Sequence, residues 1–198
     1  YSCLPTRSRP SSRNRKHLSG FATRFLGTEF QVSNLPSDQS SIETRISAIE
    51  DTEAIRRLHN EYAAWCDAGY NAAEIAKLFA EDGQWVHPDF GTQTGPAAIE
   101  SFFNGMSDVI EWAIHHMSNA VITIGDDGLT ANGKWNMLAL CSMVRSEEPE
   151  ECDAVVISGG YDNDFTKIGG EWKIQVMRGN THHISNLDQG WVKQQWRP

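Results

Sequence analysis

This sequence predicts an α+β domain, with helices first and long antiparallel strands after them. Apolar residues recur at helical spacing between Ser41 and Asp67, interleaved with charges. After Ile110 the pattern changes to alternation by twos, sustained through four long runs. Those runs are punctuated by "DDG", the charged loop "EEPEE" and a "GG" hairpin signal. The expected architecture is a cone-shaped α+β barrel in which three N-terminal helices pack inside a strongly curved, mostly antiparallel sheet.

Each element has its own justification. In the first helical stretch Ile42, Ile46 and Ile49 are followed by Ile55, Leu58, Tyr62 and Cys66. The step from Ile49 to Ile55 is out of phase, which predicts a break near Asp51-Thr52 with Thr52 capping a second segment. "DAGYN" reads as a turn, and "AAEIAKLFAEDG" as a short amphipathic helix ending at Gly83. "QWVHPDFGTQT" reads as a strand turning at "HPDFG". Pro96 falls in the first turn of a further helix, where a missing N–H costs nothing. The strands are "WAIHHMSNAVITIG", "TANGKWNMLALCSMVR", "AVVISGGYDNDFTKI" and "EWKIQVMRGNTHHI".

Three segments follow from composition. Residues 1–40 are Ser/Arg-rich, a composition that buries too little apolar area to order itself. They read as a flexible basic extension, either a remnant resembling an organellar transit peptide or an expression tail. Residues 41–190 form the domain and 191–198 a C-terminal tail. A cytoplasmic or organellar protein is expected. The net charge of −9 is uneven: residues 1–30 carry about +5, leaving about −14 on the rest. An acidic domain argues against nucleic acid as partner, and no apolar run approaches the ~20 residues of a membrane helix. Cys3, Cys66, Cys141 and Cys152 show neither a C-x-x-C pair nor metal spacing, so they read as free thiols in a reducing compartment. The seven histidines show no H-x-H or H-E-x-x-H pattern, and no metal or other cofactor is expected. There is no serine elbow, and "GTQTG" lacks the lysine of a phosphate loop.

The segments "AIRRLHNEYAAWCDAG", "LFAEDGQWVHPDFGTQTGPAAI", "IHHMSN" and "GGYDNDFTKIGGEWKIQVMRGN" resemble the nuclear transport factor 2-like superfamily and, within it, the SnoaL-like enzymes. The resemblance covers about residues 45–185 and is closest to the branch of scytalone dehydratase and hexachlorocyclohexane dehydrochlorinase. It implies an apolar pocket at the open mouth of the cone. It also implies that Asp67, at the end of the first helix, orients His115 on a later strand as general base. Two positions depart from the branch: Tyr62 stands where the dehydrochlorinases have a lysine, and Cys66 where the dehydratases have a tyrosine. A phenol brings no positive charge to a leaving halide, so dehydration or isomerisation fits better than dehalogenation.

The chemistry is sound on general grounds. A histidine titrates near working pH, and a carboxylate on one ring nitrogen fixes the tautomer and stabilises the imidazolium. Alternation along the strand puts His115 and His116 on opposite faces, with only His115 expected inside. Candidate substrate contacts are Tyr62, Trp85, His87, Asn119 and Arg178. Trp85 and His87 share a strand face, although Pro88 could bend that strand outward. Asn119 lies four residues after His115, on the same face by alternation. Arg178 lies six residues after Trp172, one beyond the expected pocket arginine, so it faces inward only if a bulge at "RGN" corrects the phase. Whether Tyr161 and Asn163 or Gly160 and Asp162 face inward stays open, and His182 and His183 have no clear role.

The leading expectation is a cofactor-independent lyase or isomerase acting on a small apolar oxygenated molecule. The alternatives are a SnoaL-type polyketide or terpenoid cyclase, and a non-catalytic binding or assembly module such as a dioxygenase small subunit. The resemblance also implies a homo-oligomer, dimer or trimer.

Overall fold

The structure, a computed structural model, describes residues 41–197. The basic extension expected over residues 1–40 lies outside the described residues. Helix α1 (Ile42–Asp67) is unbroken over 26 residues and is capped by Ser41, whose hydroxyl accepts the Thr44 N–H. The expected break is absent because the two apolar stripes lie on opposite sides of one continuous helix. Ile55, Leu58, Tyr62 and Cys66 are buried, whereas Ile42, Ile46 and Ile49 are exposed. Thr52 caps nothing; its hydroxyl donates to the Ala48 carbonyl at 2.8 Å, inside the helix. Asp51 reaches off the helix to accept from Lys167 Nζ at 2.6 Å and Trp172 Nε1 at 2.8 Å. The middle of α1 is thereby tied to the sheet.

Helix α2 (Ala72–Lys77) stops well before Gly83. The chain from Phe79 onward instead joins the sheet as β1 (Phe79–His87), running parallel to β6 (Glu171–Asn186) with Phe79 beside Ile174. Tertiary pairing overrides the helical propensity of "LFAED" there. Strand β2 (Gly91–Thr94) folds back on β1, and α3 (Pro96–Asn104) begins on Pro96 as expected. Strands β3 (Ile110–Ile124), β4 (Thr130–Val144), β5 (Cys152–Ile168) and β6 then form an antiparallel meander. The β5–β6 turn uses Gly169 and Gly170, both at positive φ, where side chains with a Cβ are disfavoured.

The sheet has six strands in the order β2-β1-β6-β5-β4-β3. It is strongly curved and unclosed, so the expected barrel is a cone open along β2 and β3. Bulges help to bend it. In β3 the pairing skips a residue between Ser118 and Val121; in β6 it skips near Gln175 and again at His182. The concave face holds the core, in which Phe165, Ile174, Met177 and Trp135 pack against Ile55 and Tyr62 of α1. Outside, Trp112, Leu138 and Leu140 remain exposed. The last residues form a short helix α4 (Gly190–Lys193) and return to β6, where the Ile184 N–H donates to the Gln195 carbonyl. Arg197 fastens this segment by an ion pair to Asp153 at 3.1 Å. No described helix is long and apolar enough to cross a membrane.

Candidate active site

Strand β3 is an edge, and the C-terminal end of α1 lies against its open side. Asp67, the last residue of α1, accepts two hydrogen bonds there. Its Oδ1 takes the His115 backbone N–H at 2.9 Å and sits 2.6 Å from His115 Nδ1. A carboxylate at the negative end of a helix dipole is unfavourable by about 0.3–1 kcal/mol, and the last turn of α1 carries no basic residue. The two donors from one residue offset that cost and fix the carboxylate's position. Because Nδ1 donates to Asp67, the Nε2 nitrogen is left with its lone pair free. His116, next along the strand, is exposed on the other face.

Beside this pair lies a cavity of about 120 Å³. Its walls are mainly aromatic: Tyr62, Tyr70, Trp85, Phe102, Phe103 and Tyr161. Among its lining residues there is no lysine or arginine; its ionisable groups are the His115 and His87 imidazoles, the Cys66 thiol and the phenols. Two larger hollows, of about 800 and 840 Å³, run along α1 but contain no histidine. Of these three hollows the small cavity is the one whose lining contains histidine.

Each expected contact residue can now be placed. Trp85 is buried in the cavity wall, and its Nε1 donates to the Tyr62 hydroxyl at 3.3 Å. Burial pushes the Tyr62 phenol well above its usual range, so it stays protonated, a donor rather than a base. His87 stays inside despite Pro88. Its Nδ1 accepts the Asp89 N–H at 3.2 Å, which puts its proton on Nε2, 3.1 Å from Thr181 Oγ1. Burial lowers the His87 pKa, and the Asp89 carboxylate opposes that shift.

Two expected contacts are not in the cavity. Asn119 is exposed at φ 55, in the bulge of β3. The extra residue flips the alternation after Met117, so Ala120 and Ile122 take the inner face that Asn119 was expected to share. Arg178 also faces outward and pairs with Asp164 at 2.7 Å. A bulge is present in β6, but it falls at Gln175, and it turns Met177 inward and Arg178 out. The open question on β5 is also answered: Tyr161 and Asn163 face inward, and Asp162 pairs with Lys134 outside.

Sequence reasoning missed several residues of this region. Tyr70 lies three residues beyond Asp67 in the turn, with its ring edge-on to His115 at 6.3 Å. Phe102 and Phe103 sit in α3, within 4.5 Å and 5.7 Å of the Trp85 ring centroid respectively. Neighbouring phenylalanines in a predicted helix facing the sheet were the available signal. His59, one helical turn before Tyr62, is fully buried behind the cavity and stacks on Trp135 at 3.9 Å. Both its ring nitrogens are unpartnered, and burial pushes its pKa down to about 3. Among the described residues, Cys66, Cys141 and Cys152 are free thiols, and no three His, Cys, Asp or Glu side chains converge as a metal site.

An open α+β cone holding a small aromatic cavity, with an imidazole–carboxylate pair beside it, is a fold shared with nuclear transport factor 2-like proteins. More particularly, the chain belongs to the SnoaL-like domain family, whose model matches residues 47–178. No curated protein sequence matches it. Among solved structures, it is similar to a type 2 hexachlorocyclohexane dehydrochlorinase at 20% identity and a TM-score of 0.64, over 72% of this chain and 92% of that one. A protein from Novosphingobium aromaticivorans assigned as a scytalone dehydratase is 25% identical, with a TM-score of 0.62, over 71% of this chain and 90% of that one. An NTF2-like protein with a cystatin-like fold from the same species is 22% identical, with a TM-score of 0.56, over 79% and 95%.

Proposed function

We propose that the protein is a lyase of the dehydratase kind acting on a small, neutral, mostly apolar molecule that carries a hydroxyl as leaving group. The observation that carries this reading is the 2.6 Å contact of His115 with Asp67 at the wall of an aromatic cavity. In this reaction His115 Nε2 takes a proton from carbon, the C–H electron pair forms the new double bond, and the C–O bond breaks. Asp67 stabilises the imidazolium. The leaving oxygen departs as water after the His115 imidazolium returns that proton to it, with the His87 Nε2–H donating a hydrogen bond to the oxygen while the Tyr62 phenol and Trp85 hold the ring. The chemistry asks only for proton transfer between well-placed groups. The lack of cationic side chains in the lining favours an uncharged substrate over a carboxylate or phosphate. A volume of about 120 Å³ favours a compact substrate over the large polycyclic ones of a cyclase.

The test uses a panel of neutral cyclic β-hydroxy ketones, followed by the ultraviolet absorbance of the enone that dehydration produces. Turnover of at least one member, lost in His115→Ala, is the expected result. If no member turns over, or if His115→Ala is as active as the parent, the proposal fails. The homo-oligomer belongs to the same proposal, with a second copy covering the exposed Trp112, Leu138 and Leu140 of the outer face. Sedimentation equilibrium of the parent and of Leu138→Lys checks this, and a monomeric parent would exclude it.

A further inference from the structure

The cavity is smaller than the ~300–1,000 Å³ usual for a ligand site, and part of its wall has no freedom to yield. Tyr62, Trp85 and Phe103 are buried on rigid elements. Phe90 is placed differently. It sits in the three-residue turn between His87 and Gly91, which pair across the β1–β2 hairpin. The residue is 53% exposed, yet it lies in the cavity lining, its ring 5.0 Å from the His87 ring and 5.9 Å from Phe102. An apolar ring that is half in water and half over a pocket is held on one side only. Rotation about its side-chain bonds toward solvent requires no movement of the hairpin backbone. That backbone is pinned at both ends of the turn, by the Asp89 N–H on His87 Nδ1 and by the Gln93 side-chain amide on the Phe90 carbonyl.

Resting on the proposed lyase reading, we propose that Phe90 is the specificity gate of this pocket: a movable wall that sets how wide a substrate can reach His115 and His87. With the ring closed, the pocket takes a single small ring; a fused pair of rings enters only as Phe90 swings out. The turn separates two tasks. Its backbone sets the tautomer of His87, while its one apolar side chain sets access, so width can change without disturbing the hydrogen-bond donor.

The test is a binding comparison that needs no turnover, so it stands or falls separately from the role of His115 as a base. Phenol and 1-naphthol are titrated into the parent, Phe90→Ala and Phe90→Leu, followed by the histidine ring proton signals in nuclear magnetic resonance. In the parent, phenol is expected to shift the His87 and His115 signals at lower concentration than 1-naphthol. In Phe90→Ala the affinity for 1-naphthol should rise about tenfold relative to phenol, with Phe90→Leu between the two. Phe90→Leu carries the comparison alone if Phe90→Ala does not fold. An unchanged ratio in a folded variant overturns the gate. So does binding that leaves both histidine signals unmoved, or no binding of either probe by any of the proteins.

Discussion

Two histidines on either side of the same aromatic layer have opposite fates. On the cavity wall, His115 has a carboxylate on Nδ1 and an open space beside its ring. In the core behind it, His59 is sealed between Trp135 and Tyr161 with no hydrogen-bond partner on either nitrogen. Burial alone removes a histidine from acid–base chemistry, because the charged form loses its solvation and nothing replaces it. Burial with a carboxylate and a cavity leaves one nitrogen able to take a proton and the other able to share the resulting charge. The difference is in the partners, since both rings are largely withdrawn from water.

The sharpest way to break this comparison is to remove the wall histidine. His115→Ala is expected to lower turnover of the enone-forming substrate about 10³-fold, with unchanged far-ultraviolet circular dichroism. Asp67→Asn keeps the shape but no longer imposes the Nδ1–H tautomer or supports the imidazolium. A loss of about 10²-fold in kcat, with KM moved little, is expected. Equal losses in kcat/KM from KM alone would mean that Asp67 serves binding only.

The core histidine is expected to show itself in acid. Its folded-state pKa of about 3 lies below the ordinary 6.5. The unfolded chain takes up a proton that the folded protein refuses, so stability falls as pH drops from about 6.5 toward about 3. His59→Phe removes that proton uptake and should flatten the decline. Urea unfolding at pH 7 and at pH 4.5 should show a smaller difference in the variant than in the parent, on the order of a few kcal/mol. Identical pH dependence would mean that His59 is hydrated in solution.

Two smaller effects mark the boundary of the site. Asn119→Val places a β-branched residue at φ 55 and should cost about 1–2 kcal/mol in thermal unfolding while leaving KM unchanged. Arg178→Ala removes an exposed pair with Asp164 and should change stability by less than about 1 kcal/mol. Activity within twofold of the parent is expected for both. A large rise in KM for either variant would restore it to the pocket.

Local patterning carried much of this protein. The run of alternating residues from Ile110 onward, the turn signals and the start of α3 on Pro96 are short-range facts, readable because each depends on neighbours a few residues apart. The pairing of Asp67 with His115 was legible only through resemblance, since nothing local links residues 48 apart. Phase was the weak point. One extra residue in β3 moved Asn119 out of the pocket, and another in β6 turned Met177 in and Arg178 out. Such bulges are set by how two strands must bend over a particular core, and a single strand's sequence does not register them.

The sequence by itself determined most of the helical and extended segments and which residue types are available for proton transfer. Only the tertiary structure decided which of them share the cavity. It joined "LFAED" to the sheet, left Ile42, Ile46 and Ile49 in solvent, and buried His59 beyond the reach of water. The reason is physical: helical and strand periodicity come from the backbone's own geometry, whereas the facing of a side chain after a bulge, or the partner of a buried imidazole, depends on packing between elements distant in the chain.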